Sequence, residues 1–596
     1  MNIRALLGGT ALVAVWVAGT PATAQTAQPS SQQQPVGRIV VFGDSLSDGG
    51  FFRSVLPLPA GAGRFTTNPD PVAPEVMAAR LGLPLVTAYG QSGGTNFAVG
   101  GARVTAANGA SIAITRQISN FLAAGGTFGP NDLVYVQGGG NDFFFFQATG
   151  STNNAILTTA ASELAAQVVR LQSAGAERIV TFAVQSGGAP GLQLFNQTYA
   201  TALAAANVNA LYFNTDRLFN EIVANAASFG ITNITSTACL GSSLTCTPAT
   251  YRTPNANETF LLADSVHPAG ITQRIQGQAV ASLLQAPEQI GQLSYAAQSL
   301  LRGQREMLEG PMRGSLQEED GGTRLFGNVG YNYFSADGSQ QRLGLNERSL
   351  TGQIGLDIAL GDAAGIGVAG AYSDGNGHFS TSSGGYDVSA LSGTVYGRAA
   401  FGPLQLGASA TYGSLSYDNI ERRFALGPTG RIHSGDTDGR HLAASALASF
   451  ALINQGGIRF GPDIGISYEK VEIDGYAEEG AFSTAATFGE QELDSLTGRV
   501  GLAATTAPGA PLRVTARVSY EHEFGSDERE FTITPVDAPI SYTSRIFTAD
   551  DKYVSYGLAV DGRLSAGLSL RAGLRGNVGR ATFDNLTSYA GLSLGF

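Results

Sequence analysis

Apolar residues recur along this chain with two different periods, and the change falls near residue 320. Before it, short runs of β-branched and aliphatic residues stand at Arg38–Phe42, 133–136 and 178–184, each ending in a glycine-rich or polar turn. Between them the spacing is helical. The stretch 155–174 places Leu157, Leu164, Val168, Val169 and Leu171 at such intervals, 199–227 reads as a second long helix, and 268–284 as a third that Pro268 opens. Short buried strands alternating with helices predict a parallel sheet covered on both faces, an α/β layered domain over residues 36–286. Ligands of such sheets sit at the carboxyl ends of the strands.

After residue 320 the period becomes two. Leu512, Val514, Ala516, Val518 and Tyr520 alternate with polar partners, as do Val554, Tyr556, Leu558 and Val560, and Leu568, Leu570, Ala572 and Leu574. About twelve such segments reach the C-terminus, separated by Gly/Asp/Asn/Pro turns. One-sided strands of about 10 residues, even in number, describe an all-β transmembrane barrel over 320–596 with a charged, wet interior. A secreted β-sandwich or solenoid would need two-sided packing and does not account for so many consecutive one-sided strands. The chain closes on Ala590-Gly591-Leu592-Ser593-Leu594-Gly595-Phe596, an alternation ending in phenylalanine. Between the halves, 287–310 is a polar helix closed by Gly310-Pro311. It suits either the last helix of the first domain or a linker, 287–319, threading the barrel lumen.

The first residues add a compartment. Arg4 precedes an apolar run over 5–17, and Ala22-Thr23-Ala24 offers a small-x-small cleavage site, so residues 1–24 read as a secretory signal peptide. The Gln/Ser/Pro/Thr-rich residues 25–35 read as a flexible leader. Trp16, the only tryptophan, would leave with the signal, so tyrosine and phenylalanine must furnish the barrel's aromatic girdles. No run approaches 18 uninterrupted apolar residues, so a membrane form must be a barrel. The 596 residues carry a net charge of −12 with no basic stripe, which argues against a nucleic-acid partner. Cys239 and Cys246 are the only cysteines. In an exported chain they could close a small disulfide loop; two free surface thiols are the other reading, and their spacing suits no metal.

The chemistry gathers on Gly43-Asp44-Ser45-Leu46-Ser47-Asp48, directly after the first strand. A serine at a strand tip is placed either as a helix N-cap or as a nucleophile. A serine nucleophile needs a base, an orienting carboxylate and donors for the oxyanion. Of five histidines, His378, His433, His441 and His522 lie in the barrel half, which leaves His267 alone in the α/β half. Asp264 stands three residues before it on a turn and can reach the imidazole Nδ1, leaving Nε2 free for a serine.

These residues make the first half resemble the GDSL family of esterases and lipases, of the SGNH hydrolase type. Gly43-Asp44-Ser45-Leu46-Ser47 matches its nucleophile motif, Asn96-Phe97-Ala98-Val99-Gly100-Gly101-Ala102 its second, Gly139-Gly140-Asn141-Asp142 its third, and Asp264-x-x-His267 its last, in the family's own order. The resemblance implies a flavodoxin-like three-layer fold and a Ser45, His267, Asp264 triad. It also implies an oxyanion hole from the Ser45 and Gly101 N–H groups and the Asn141 amide, and it implies no cofactor or metal. The second half is similar to the barrels of GDSL esterase autotransporters. That implies an outer-membrane location in a Gram-negative cell, contact with outer-membrane lipid, a surface-exposed hydrolase domain, and assembly by the barrel-assembly machinery.

The expected activity is ester hydrolysis on a small-molecule or lipid ester. A phospholipase or lysophospholipase of the same mechanism is an alternative, and a non-catalytic surface adhesin is one from another class. Phe143, Phe144, Phe145 and Phe146 follow the third motif and suit either an acyl pocket or the buried start of a helix. Two motifs are set aside. Gly90-Gln91-Ser92-Gly93-Gly94 fits G-x-S-x-G but lacks the helix that elbow requires, and Gly365-x-Gly367-x-x-Gly370 lies in a barrel strand.

Overall fold

The computed structural model describes residues 36–313, 322–506, 512–525, 529–565, 567–580 and 583–596. The expected signal peptide and leader, and the end of the expected linker at 314–319, lie outside the described residues.

Four parallel strands, β1 (Arg38–Phe42), β2 (Asp132–Val136), β3 (Arg178–Phe182) and β4 (Leu211–Phe213), pair in the order 1-2-3-4. Beyond β1 the backbone around Asn96 adds a rudimentary edge strand: Val41 N–H donates to Thr95 O and Phe97 N–H to Val41 O. With that edge counted, the spatial order is the flavodoxin-like 2-1-3-4-5. Nearly every residue of β1–β4 is buried, because alternate side chains feed two separate cores. Val40, Phe42, Val134 and Val136 face one layer, made by α2 (Ile114–Ala123), α4 (Ala155–Ser173) and α5 (Pro190–Ala206). Ile39, Val41, Leu133 and Tyr135 face the other, made by α1 (Ala73–Arg80), α6 (Thr215–Ala224) and α8 (Gly270–Ile290). Two more short helices, α3 (Gly140–Ala148) and α7 (Ala256–Thr259), complete the set, and a small parallel pair, β5 (Asn233–Thr237) and β6 (Phe260–Leu262), flanks α7.

Two helix expectations need correction. The stretch 199–227 is not one helix. Pro190 opens α5, Asn207 ends it in the left-handed conformation, and Leu211-Tyr212-Phe213 forms β4 before α6 begins. An apolar run with two aromatics, deeply buried, is worth more in the sheet than in a helix. The polar helix does not start at Pro287 either. That proline is accommodated in the final turn of α8, the chain breaks at Gly291-Gln292, and α9 runs Leu293–Met312.

Twelve long antiparallel strands of 11 to 17 residues, from Thr323–Ala336 to Phe583–Gly595, form the second half. The last pairs with the first along its whole length, so the sheet closes and no edge is left. Leu345–Ala359 shows the pattern: Leu345, Glu347, Ser349, Thr351 and Gln353 are buried, while Leu350 and Ile354 are about 60% exposed on the outer face. A band of such outward apolar residues is what lipid requires.

The interior is charged, as expected, and α9 runs through it, packed against strands on several sides. Arg302 donates to Glu469, 3.0 Å away, and Arg305 pairs with the same carboxylate. Glu309 binds Arg499 at 2.6 Å and Arg517 at 2.9 Å. Beside Arg305, Glu309 and Arg499 only about 30 Å³ is left, room for a water but not for a channel. The decoy glycines serve packing: a Cβ on Gly365 would strike the Arg398 guanidinium, and one on Gly367 the Tyr396 ring.

The barrel's loops hold the α/β domain by the amino ends of its strands. Gln341 bonds both backbone groups of Val36, before β1, at 2.8 and 2.7 Å. Arg178, which opens β3, donates to Ser544 at 3.0 Å. Asn209, before β4, exchanges two 2.8 Å bonds with the backbone of Thr543. The carboxyl ends of the strands therefore point away from the membrane.

Candidate active site

The turn after β1 is fixed by groups from three other segments. Gln117, on α2, grips both backbone groups of Gly43 at 2.9 and 2.8 Å. Ser47 Oγ donates to Gln137, just past β2, at 2.7 Å. Asn96 donates its amide to Ser47 O at 2.8 Å. Asp48 accepts the N–H groups of Gly50 and Phe51, each at 2.7 Å, and that of Gly100 at 2.8 Å, so one buried carboxylate ties the first motif to the second.

Ser45 sits at the apex of this turn, 7% exposed. Its Oγ lies 2.9 Å from His267 Nε2. On the other side of the ring, Nδ1 lies 2.9 Å from both oxygens of Asp264. Asp264 Oδ1 also accepts the N–H groups of Val266, at 3.0 Å, and His267, at 2.9 Å, which locks the turn that carries both residues. Burial alone would raise the Asp264 carboxyl. The hydrogen bonds and charge of His267, with the hydrogen bond from Ser243, outweigh it and hold the group well below the usual carboxylate range. Asp44 goes the other way. Burial pushes it up to about 6, against the pull of the Leu46 N–H and the nearby His267.

Gly101 and Asn141 are brought to the same place. Gly101 has φ +77°, a conformation that favours glycine. Preceding it, Gly100 lies so close to Phe65 and Phe52 that a Cβ would overlap the Phe65 ring. Asn141 is the second residue of α3, and its amide donates at 3.1 Å to the carbonyl of Ala102, next to Gly101. Among the described residues, neither the Ser45 nor the Gly101 N–H has an acceptor. Unpaired N–H groups beside a strand-tip hydroxyl can receive a developing oxyanion. The adjoining Asp142 is buried and holds Val104 N–H at 2.9 Å and Arg103 at 3.2 Å, which anchors α3 to the second motif.

The four phenylalanines divide. Phe143 is buried in the core and Phe146 packs partly against it. Phe144 and Phe145 stay about 40% exposed, with the Arg103 guanidinium 3.8 Å over the Phe145 ring. Phe65 packs against the imidazole of His267 at a centroid distance of 5.0 Å. Ser92, in the discarded G-x-S-x-G motif, lies exposed on a turn away from any helix.

Cys239 and Cys246 are joined in a disulfide. Inside the loop they close, Ser243 reaches the Asp264–His267 pair from behind: its N–H donates to Asp264 Oδ2 at 3.0 Å and its Oγ lies 3.1 Å from His267 Nδ1. Sequence reasoning passed over Ser243, Gln117 and Gln137. Each acts across a long loop, and only the cysteine bracket around Ser243 hinted at a constrained segment.

Comparison with known proteins separates the same two halves. Residues 39–280 match the family model of the GDSL-like lipase/acylhydrolases, and residues 325–575 that of the autotransporter beta-domain. Esterase EstA of Pseudomonas aeruginosa is 29% identical over 98% of this chain and 99% of its own. Lipase 1 of Photorhabdus luminescens is 23% identical over 89% of this chain and 92% of its own. Among solved structures, the translocator domain of the autotransporter NalP from Neisseria meningitidis superposes with a TM-score of 0.41 at 15% identity, covering 51% of this chain and 98% of that one.

Proposed function

From a chain that joins a GDSL-like lipase/acylhydrolase domain to an autotransporter β-domain, we propose a mechanism of ester hydrolysis in which Ser45 is the nucleophile, His267 the base and Asp264 its orienting carboxylate. The protein is an esterase of the cell surface, anchored in the outer membrane by its own barrel. The observation that carries the mechanism is the unbroken Ser45–His267–Asp264 contact chain, 2.9 Å at each link, at the outward carboxyl end of the sheet.

Ser45 Oγ attacks the ester carbonyl carbon while His267 Nε2 takes its proton. The carbonyl oxygen becomes an oxyanion, held by the Ser45 and Gly101 N–H groups and the Asn141 amide. Collapse of this intermediate breaks the bond to the alkoxy oxygen, which leaves as the alcohol with the proton from His267. Water, deprotonated by His267, then attacks the acyl-enzyme, and the acid and free Ser45 are released. Asp264 keeps the Nδ1 proton in place and stabilises the charged ring throughout.

Phe144 and Phe145, exposed beside Asn141, supply an apolar wall for the acyl chain. The outward orientation favours esters arriving from the medium, as molecules or micelles, over lipid of the cell's own outer membrane. Residues 36–286 act as the hydrolase domain, 287–319 as the link through the barrel, and 320–596 as the anchor, whose insertion depends on the barrel-assembly machinery. A series of nitrophenyl esters of increasing acyl length, set beside a phospholipid, tests the substrate reading. Turnover that rises with chain length and falls on Phe144→Ala and Phe145→Ala supports the apolar wall; indifference to both substitutions removes it.

A further inference from the structure

The closing disulfide and the serine inside it are not used by the mechanism above, yet they touch its centre. The loop from Cys239 to Cys246 is pinned at every side. Cys239 N–H donates to Ala263 O at 2.9 Å, one residue before Asp264. Asn68 donates to Ser243 O at 2.9 Å, and Gly63 N–H to Leu244 O at 3.0 Å. Ser243 is wholly buried, and its N–H and Oγ both face the Asp264–His267 pair. Asp264 Oδ1 is held by the backbone of its own turn, Oδ2 is shared between Ser243 N–H and His267 Nδ1, and Ser243 Oγ lies against the same Nδ1, so Ser243 contacts both members of the pair.

We propose that Ser243 is a positioning residue for ester hydrolysis, its Oγ holding the His267 ring at Nδ1 while its N–H holds the Asp264 carboxylate, and that the Cys239–Cys246 disulfide acts on catalysis by keeping both in place. This rests on the assignment of Ser45, His267 and Asp264 made above. A ring without Ser243 Oγ at Nδ1 would still face a charged Asp264 but would be aimed less closely at Ser45, so the loss falls on the chemical step and not on substrate binding.

The test uses the full chain in detergent micelles and compares Ser243→Ala, the paired Cys239→Ala/Cys246→Ala variant, and the two combined. Paired substitution opens the loop where a reductant would not reach two buried sulfurs. Ser243→Ala should lower kcat about 3- to 10-fold, the rate equivalent of one hydrogen bond, with KM and the melting temperature held. Opening the loop should lower kcat by at least as much in the parent, and by clearly less in the Ser243→Ala background. Parent-level kcat in Ser243→Ala overturns the proposal. So does a loss that moves KM or melting in step, or a loop-opening effect equal in both backgrounds. Ser45→Ala, run alongside, separates the two levels. If it stays active, the triad assignment itself fails; if it is inactive while Ser243→Ala is unaffected, only the positioning role fails.

Discussion

Two buried polar networks lie at opposite ends of the α8–α9 helical pair, one around His267 and one around Glu309. They solve opposite problems. In the lumen the charges around α9 are directed at one another: Glu309 meets Arg313, Arg499, Arg517 and Arg575, and Glu469 meets Arg302 and Arg305. Glu309, on α9, is shared among guanidinium groups from three strands, and Glu469, on a strand, between two guanidinium groups of α9, which locks the helix in the barrel. At the hydrolase end a file from Ser45 to His267 to Asp264 is buttressed by Ser243, and the network stops short of closure. Among the described residues, the Ser45 and Gly101 N–H groups have no acceptor. A filled network rigidifies, whereas one with donors left open can act on a ligand.

The sharpest way to break this contrast is Ser45→Ala. Turnover should fall by about 10⁶-fold, as for loss of a serine nucleophile elsewhere. The temperature at which the barrel loses its compact gel mobility should not move, because among the described residues no hydrogen bond joins Ser45 to the barrel. Next in size is Glu309→Ala, which leaves Arg313, Arg499, Arg517 and Arg575 facing one another. Removing one partner of a buried ion network costs about 3–5 kcal/mol, so the gel-shift temperature should drop while kcat per folded molecule holds. Asn141→Ala should cost about 10²–10³ in kcat with little change in melting.

Asp44 sharpens the comparison through pH. Its folded pKa, about 6, lies above the ordinary carboxylate value, so the fold keeps a proton that the unfolded chain has lost. This group therefore makes the hydrolase domain less stable as pH rises from about 4 through 6. Asp44→Asn removes that penalty. Its melting temperature should exceed the parent's at pH 7, by a stability on the order of 1–3 kcal/mol, and converge with it at pH 4. Equal melting at both pH values would contradict a buried, uncompensated Asp44.

Smallest is Arg431→Ala, which frees Glu221 at the contact between the domain and a barrel loop. Lost stabilisation of about 1 kcal/mol should appear in the first unfolding transition alone.

Much of this was legible in the pattern of residues, for physical reasons that differ by region. The strand runs before Ser45 and Asn141 are buried on both faces, so they read as unbroken apolar runs. The barrel strands are buried on one face, so they alternate, and their number was countable. Leu211-Tyr212-Phe213 was lost inside a helical pattern because three residues carry no period. The loop strands Tyr476–Ala477, Ala486–Phe488, Arg529–Pro535 and Tyr542–Ile546, which form a small sheet above the barrel, were hidden for the same reason. At the site, Ser45, Asp264 and His267 announced themselves by local motif and by the scarcity of histidine. Gln117 and Ser243 did not, because glutamine and serine are common and their partners lie 74 and 24 residues away.

The central claim is that the Ser45 turn is a working nucleophile held outward at the cell surface. Intact cells carrying the protein should be treated with a membrane-impermeant fluorophosphonate, and the adduct mapped by mass spectrometry. The account predicts a stoichiometric adduct on Ser45 without permeabilisation, lost in His267→Ala. An adduct on another serine such as Ser92, or labelling only after the cells are opened, would contradict it.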